Sequence, residues 1–160
     1  MPTHEFRCRL VWTGAALGPT ESYRAYDRAY RIEYDGKPAI DGSAAAPFRG
    51  DPKKTNPEDL LLGALSACHC LSYLAHCARR NVVVTGYEDS AVGLLAPDRE
   101  GTLAFQEVTL EPRVTIAEAS SVEEARQLHG PANRDCFIAR SVAFPVHHRP
   151  TIVREGSSGA

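Results

Sequence analysis

The chain has 160 residues, 43% of them hydrophobic and 24% charged, with a formal net charge of -2. That length suits one domain with a core large enough to do without disulfide staples. The lack of a basic excess argues against nucleic acid or an anionic membrane as partner.

The first residues, "MPTHEFRCRLVW", contain no apolar signal core. Phe6, Cys8, Leu10 and Trp12 alternate, so the segment predicts a half-buried strand with Cys8 on its apolar face as a small buried hydrophobe. "SYRAYDRAYRIEYDG" predicts a second strand ending at Asp35-Gly36, and "KPAIDGSAAAPFRGDPKK" reads as a long loop. Loops of that length inside a compact domain are often functional.

A long helix should start at Asn56, which can cap it. Pro57 suits the first helical position, and Glu58 and Asp59 suit the positive end of the dipole. Arg79 and Arg80 fit its C-terminus, and Asn81 fits a left-handed stop. The apolar-rich run from Leu60 to Ala75 is interrupted by Ser66, His69 and Ser72 and is short for a membrane span, so a buried helix is expected. It is apolar on nearly every face. A domain this small has difficulty enclosing such a helix, which predicts a partner chain and a two-fold homodimer.

"NVVVTGYEDSAVGLLA" and "GTLAFQEVTLEPRVTI" predict two long strands joined by a turn around residues 97–101. "AEASSVEEARQLHG" predicts a helix capped by Ser121, with Glu124 three residues later, broken at Gly130-Pro131. A short third helix should carry "ANRDCFIARS", placing Cys136 early in it, and "VAFPVHHRPTIV" reads as the last strand. The fold class is therefore α+β, an antiparallel sheet packed on helices, in a single domain over residues 1–153. The small polar tail, residues 154–160, is expected to be disordered.

The five cysteines (Cys8, Cys68, Cys70, Cys77, Cys136) are odd in number and scattered, unlike a secreted disulfide framework. A cytoplasmic protein with reduced thiols is expected. Cys70 and Cys77, like His69 and His76, are seven residues apart, about 10 Å along a helix. No single metal ion or disulfide spans that gap. The pair His147-His148 sits in a strand and points to opposite faces, as surface residues commonly do. Cys68 lies broadly on one side of the long helix with Glu58, Leu61 and Leu65. A cysteine near a helix N-terminus, the place expected for Cys136, has its thiolate favoured. Spacing alone leaves open whether Cys68 and Cys136 meet or are two core residues.

"TNPEDLLLGALSAC" followed far downstream by "CFIARSVAFPV" resembles the OsmC/Ohr family of thiol-dependent hydroperoxide reductases. The resemblance extends over "FRGDP", the Asn-Pro-Glu helix start and "VVVTGYED". It implies an intertwined homodimer with antiparallel sheets around a long central helix and two active sites at the subunit interface. It also implies reduction of organic hydroperoxides. By position, Cys68 corresponds to the peroxidatic cysteine, Cys136 to the resolving one and Glu58 to the helix-start glutamate. Arg49 in "PFRGDP" is the first choice for the family's arginine, with Arg24 the alternative. No metal or organic cofactor is implied. The reductant would be an external dithiol of the lipoyl type.

Physical chemistry sets what such a site needs. Only a thiolate attacks a peroxide, and burial without help keeps a thiol protonated. An arginine stays charged and can hold both the thiolate and the leaving oxygen, with a carboxylate to orient it. Glu58 and Cys68 are ten residues apart, about 15 Å along a helix. Arg49 and Glu58 are therefore expected to serve Cys68 of the partner subunit. Three other readings stand beside it: a thiol redox sensor on the same two cysteines, a non-catalytic small-molecule-binding or structural dimer in which Cys68 and Cys136 are core residues, and a metal protein built on His69, Cys70 and His76.

Overall fold

The computed structural model describes residues 3–156. Its chain divides into two compact units, residues 1–61 and residues 62–160. Residues 157–160 of the expected disordered tail lie outside the described residues. Arg154 itself ends a strand, and Glu155 donates its backbone N–H to the Ile116 carbonyl at 2.8 Å.

The first unit is built on an antiparallel sheet of β1 (Arg9–Trp12), β2 (Tyr30–Tyr34) and β3 (Lys37–Gly42), in that order. The third strand corrects the sequence reading, which assigned its residues to a loop. Asp35-Gly36 closes a two-residue hairpin in which Gly36 takes a φ of 69° that favours glycine. Pro38 is tolerated because β3 is an edge strand. The second strand starts eight residues later than its expected beginning at Ser22, because residues 22–25 fold into turns. Cys8 precedes β1 and is exposed, which corrects its assignment to the core. Phe6 and Leu10, on the same alternation, are 90% and 62% exposed, so the apolar face exists but this chain does not cover it.

The long helix α1 (Pro57–Arg79) begins where its signals place it. The Asp59 N–H donates to Asn56 Oδ1 at 2.8 Å and the Asn56 N–H to Asp59 Oδ2 at 3.1 Å, a reciprocal cap. Asn81 takes the left-handed stop with φ 58°. By length and composition alone α1 could cross a bilayer. One stripe of it, Leu65, His69, Tyr73 and Cys77, is fully buried in the protein core. Burial all round is not found within the chain: Ala64, Ala67, Leu71 and Ala78, on another face, are exposed.

In the second unit each expected long strand is two. β4 (Val84–Asp89) and β5 (Val92–Pro97) break after Asp89, and β6 (Leu103–Leu110) and β7 (Pro112–Ile116) break at Glu111. The last strand likewise splits into β8 (Val146–His148) and β9 (Thr151–Arg154) at Arg149-Pro150. Two three-stranded sheets result, β4-β7-β9 and β5-β6-β8. The β4–β7 and β5–β6 pairs are antiparallel, but β6–β8 and β7–β9 are parallel, so the sheets are mixed. The parallel pairs arise because the chain returns through helices, the long connection that parallel pairing requires. These are α2 (Val122–Gln127), capped by Ser121 Oγ accepting the Glu124 N–H at 3.2 Å, and α3 (His129–Asp135). Gly130-Pro131 does not break a helix. The break falls at Leu128, and Pro131 sits in the first turn of α3, where no intrahelical N–H bond is lost.

The core of this unit joins Tyr73 and Cys77 to Val82, Val114, Ile116, Ala125, Leu128, Ala132 and Ile152. The spacing of Val114 and Ile116 on β7 puts both on one face of the sheet, as period-two alternation requires.

Candidate active site

Cys68 lies midway along α1, half-buried, and Cys136 is the residue that closes α3 at its C-terminal end, 1% exposed. The fold brings these thiols, 68 positions apart in sequence, near enough for Cys68 to raise the Cys136 thiol. Both are free thiols. The expectation that a helix N-terminus favours a Cys136 thiolate is corrected. α3 starts at His129 because Pro131 fits its first turn, so Cys136 falls at the opposite end. Its thiol is pushed up to about 11, first by burial and then by the neighbouring Cys68, while the Ala139 and Ile138 backbone N–H groups pull the other way. The Ala139 N–H donates to Cys136 Sγ at 3.4 Å and the Arg140 N–H to the Cys136 carbonyl at 3.1 Å. Cys136 thus also opens the turn that follows it. Its neighbour Phe137 is 76% exposed.

Arg49 and Glu58 belong to the first unit. Arg49 ends a short turn over Ala46–Phe48 in the left-handed region, φ 66°, a conformation a non-glycine residue adopts at a cost. Its side chain is exposed and unpaired among the described residues. The loop around it is tightly wound. A Cβ on Gly50 would lie 1.6 Å from the Ala44 carbonyl oxygen, and the Asp51 N–H is tied to Ser43 Oγ at 3.1 Å. Glu58, in the first turn of α1, has a buried Oε2 with no hydrogen-bond partner. A buried carboxylate oxygen left without a donor is costly. Tyr30 is held above its ordinary range by burial and by Glu58 and Asp59. Arg24, the alternative arginine, is exposed in the turn before β2. That turn is fixed by Arg28, which donates to the Tyr23 and Tyr26 carbonyls and stacks 3.9 Å over the Tyr26 ring.

One cluster was not read from the sequence. His69, His129 and His148 come together with ring centroids 5.3, 5.7 and 5.9 Å apart. His69 and His129 are both fully buried, and His69 Nε2 meets His129 Nδ1 at 3.0 Å. Tyr73 stacks on His129 at 3.9 Å. Burial lowers His69 to about 4 and His129 to about 3, with neighbouring imidazoles adding to the effect, and His148 is also lowered. The cluster is neutral near pH 7. The one signal in the sequence was the alternation within β8, which sends His147 outward toward Glu107 (3.7 Å) and His148 inward. Cys70 lies near Asp89 and is pushed up by burial and by that carboxylate. His76 pairs with Asp135 at 2.9 Å, one residue before Cys136. Among the described residues no group of three or more His, Cys, Asp or Glu side chains is arranged to hold a metal ion.

Several known structures share this fold. An OsmC-like protein of unknown function from Vibrio cholerae superposes with a TM-score of 0.85 at 28% identity, covering 93% of this chain and all of that one. An organic hydroperoxide resistance protein from Elizabethkingia anophelis gives a TM-score of 0.68 at 16% identity, covering 96% of this chain and all of that one. The organic hydroperoxide resistance protein OhrB of Bacillus subtilis gives 0.59 at 19% identity, covering 92% and 98%. No curated protein matches the sequence. The family described as OsmC-like protein matches residues 50–150, a span that includes Glu58, Cys68 and Cys136. The mixed α+β fold and this match agree, and the chain belongs to the OsmC-like family.

Proposed function

We propose that the protein is a cysteine peroxidase that reduces organic hydroperoxides to alcohols. The observation that carries this reading is the fold's pairing of two free thiols, Cys68 and Cys136, from distant parts of the sequence. Cys68, the more accessible of the two, attacks the outer peroxide oxygen as a thiolate. The O–O bond breaks, the alkoxide leaves and takes a proton, and Cys68 becomes a sulfenic acid. Cys136 then attacks that sulfur, water leaves, and a Cys68–Cys136 disulfide forms. A dithiol of the lipoyl type, itself oxidised to a disulfide, restores both thiols.

In this reading the protein works as a homodimer. The exposed apolar face of α1 at Ala64, Ala67 and Leu71 is the surface a second copy would cover. Arg49 and Glu58 of the partner subunit then stand beside Cys68. Arg49, unpaired among the described residues and held in a left-handed conformation, supplies the charge that keeps Cys68 ionised. The unsatisfied Oε2 of Glu58 orients it.

The test is oxidation by cumene hydroperoxide of Cys68→Ser and Cys136→Ser, followed by thiol titration and mass spectrometry. Cys68→Ser should not consume peroxide. Cys136→Ser should react once and stop as a sulfenic acid. Unaltered turnover in both variants removes the mechanism. Stoichiometric oxidation of the wild type without dithiol-supported turnover makes the protein a redox sensor instead.

A further inference from the structure

α1 and α3 are fastened to each other at both ends of α3. At the start, His69 Nε2 meets His129 Nδ1 at 3.0 Å, with both side chains fully buried. At the end, His76 Nε2 meets Asp135 Oδ2 at 2.9 Å, with the two side chains 20% and 64% exposed. Each clasp abuts one cysteine of the pair. His69 follows Cys68 on α1, and Asp135 precedes Cys136 at the close of α3. We infer that His76 and Asp135 are positioning residues that hold Cys136 in place for disulfide closure with Cys68. This deepens the peroxidase reading above and rests on it.

Disulfide geometry is demanding: the sulfurs must come to about 2.05 Å and the Cα atoms to within about 7 Å. Both cysteines are free thiols here, so closure moves at least one of them. Cys68 is held midway along a 23-residue helix. Cys136 has left helical geometry, with φ -68° and ψ 110°, and opens the turn whose Ala139 N–H donates to its sulfur at 3.4 Å. The clasps restrain it unequally. The buried His69–His129 contact fixes the start of α3, whereas the His76–Asp135 pair lies at the surface and can open and reclose. α3 rises about 9 Å from His129 to Asp135. Any swing about its fixed start is therefore largest at Asp135 and Cys136, the end that His76 restrains. A carboxylate at the C-terminal end of a helix also opposes the helix dipole, so Asp135 does not serve the stability of α3 itself. In closure the Cys136 sulfur bonds to the Cys68 sulfenic acid, the S–O bond breaks, and the departing hydroxide takes the Cys136 proton as water.

Closure of the Cys68–Cys136 disulfide is read in the full-length protein by non-reducing peptide mass spectrometry, in two experiments. In the first, rapid quenching after stoichiometric cumene hydroperoxide separates the Cys68 sulfenic acid, trapped with dimedone, from the disulfide. His76→Ala and Asp135→Ala should form the sulfenic acid within about twofold of the wild-type rate but close the disulfide about fivefold more slowly, the scale of losing one surface pair. Excess peroxide should then drive more Cys68 to the sulfinic acid. His76→Gln keeps a donor and should close within about twofold of wild type. The double variant should be no slower than either single one, because both break the same contact. In the second experiment oxidised dithiothreitol closes the disulfide by exchange and is itself reduced, so no peroxide chemistry is needed, and the same loss of about fivefold is expected. Arg80→Ala is the comparison. It breaks a similar surface pair, Arg80 Nε to Glu124 Oε1 at 2.9 Å between α1 and α2, and should close like wild type. Wild-type closure in His76→Ala overturns the inference, as do losses that add in the double variant. Equal slowing in Arg80→Ala also overturns it, because that outcome reports general loosening. The peroxidase reading fails separately, when wild-type Cys68 stays reduced under hydroperoxide yet closes with Cys136 under oxidised dithiothreitol.

Discussion

Ser66 Oγ donates to Asp89 Oδ2 at 2.5 Å, tying α1 two residues before Cys68 to the point where β4 gives way to β5. The other oxygen of Asp89 accepts the Glu111 N–H at 2.8 Å, at the break between β6 and β7. One carboxylate therefore fastens the helix and both bends. Ser66→Ala removes one of these bonds and is expected to cost about 1 kcal/mol, whereas Asp89→Ala removes both and should cost about 2–3 kcal/mol. Urea unfolding measures each. Equal costs for the two variants would show that Asp89 does not join them.

The histidine cluster predicts acid lability. His69 and His129 bind protons only near pH 4 and pH 3 in the folded chain, against 6.5 for an ordinary histidine. Between those values the unfolded chain carries more protons than the folded one, so stability rises with pH there. The contribution is complete above about pH 6.5 and is lost as pH falls toward about 4, amounting to a few kcal/mol in all. The urea midpoint should fall steeply between pH 6.5 and 4.5 and stay level above pH 7. A flat midpoint from pH 7 to 4.5 would contradict the neutral, buried assignment.

Arg49 should separate stability from activity. Arg49→Gly relieves the left-handed backbone at φ 66°, worth about 1 kcal/mol, and loses a similar amount through the greater freedom of the unfolded chain. Its unfolding free energy should stay within about 1 kcal/mol of wild type. Single-turnover oxidation of Cys68 by cumene hydroperoxide should slow by about 100-fold, the scale of losing one charged stabiliser. Arg24→Gly provides the comparison, and a larger loss there than at Arg49 would move the arginine's role to Arg24.

The exposed stripe of α1 predicts self-association. Leu71 is 69% exposed on a face otherwise lined by alanines at 64, 67 and 78. Leu71→Glu places a charge there and should convert a dimer to a monomer in sedimentation equilibrium while leaving the circular dichroism spectrum intact. A wild type that remains monomeric at about 100 µM, roughly a hundredfold above a 1 µM dissociation constant, removes the dimer and with it the shared site.

What the sequence determined by itself is local. The reciprocal Asn56–Asp59 cap, Pro57 in the first turn, Asn81 at the stop and Ser121 with Glu124 set helix ends through contacts within four residues. Such contacts depend on neighbours in the chain and little else. The third strand was also legible, since Asp35-Gly36 is a hairpin signal, but the proline and small residues after it masked a strand that only its edge position makes tolerable. Motif resemblance supplied Cys68 and Cys136 as a pair. The tertiary structure decided the rest. It split the long ribbons at Asp89 and Glu111, because a bend needs partners such as Ser66 that come from a distant element. It turned Cys136 from an expected helix start into a buried helix end, because three residues of α3 could form before and through Pro131. It also gathered His69, His129 and His148, from two helices and a strand, into one neutral stack. Periodicity says which way a side chain faces on its own element. Which side chains meet there depends on how the elements pack, and that is fixed by the summed burial of the whole core.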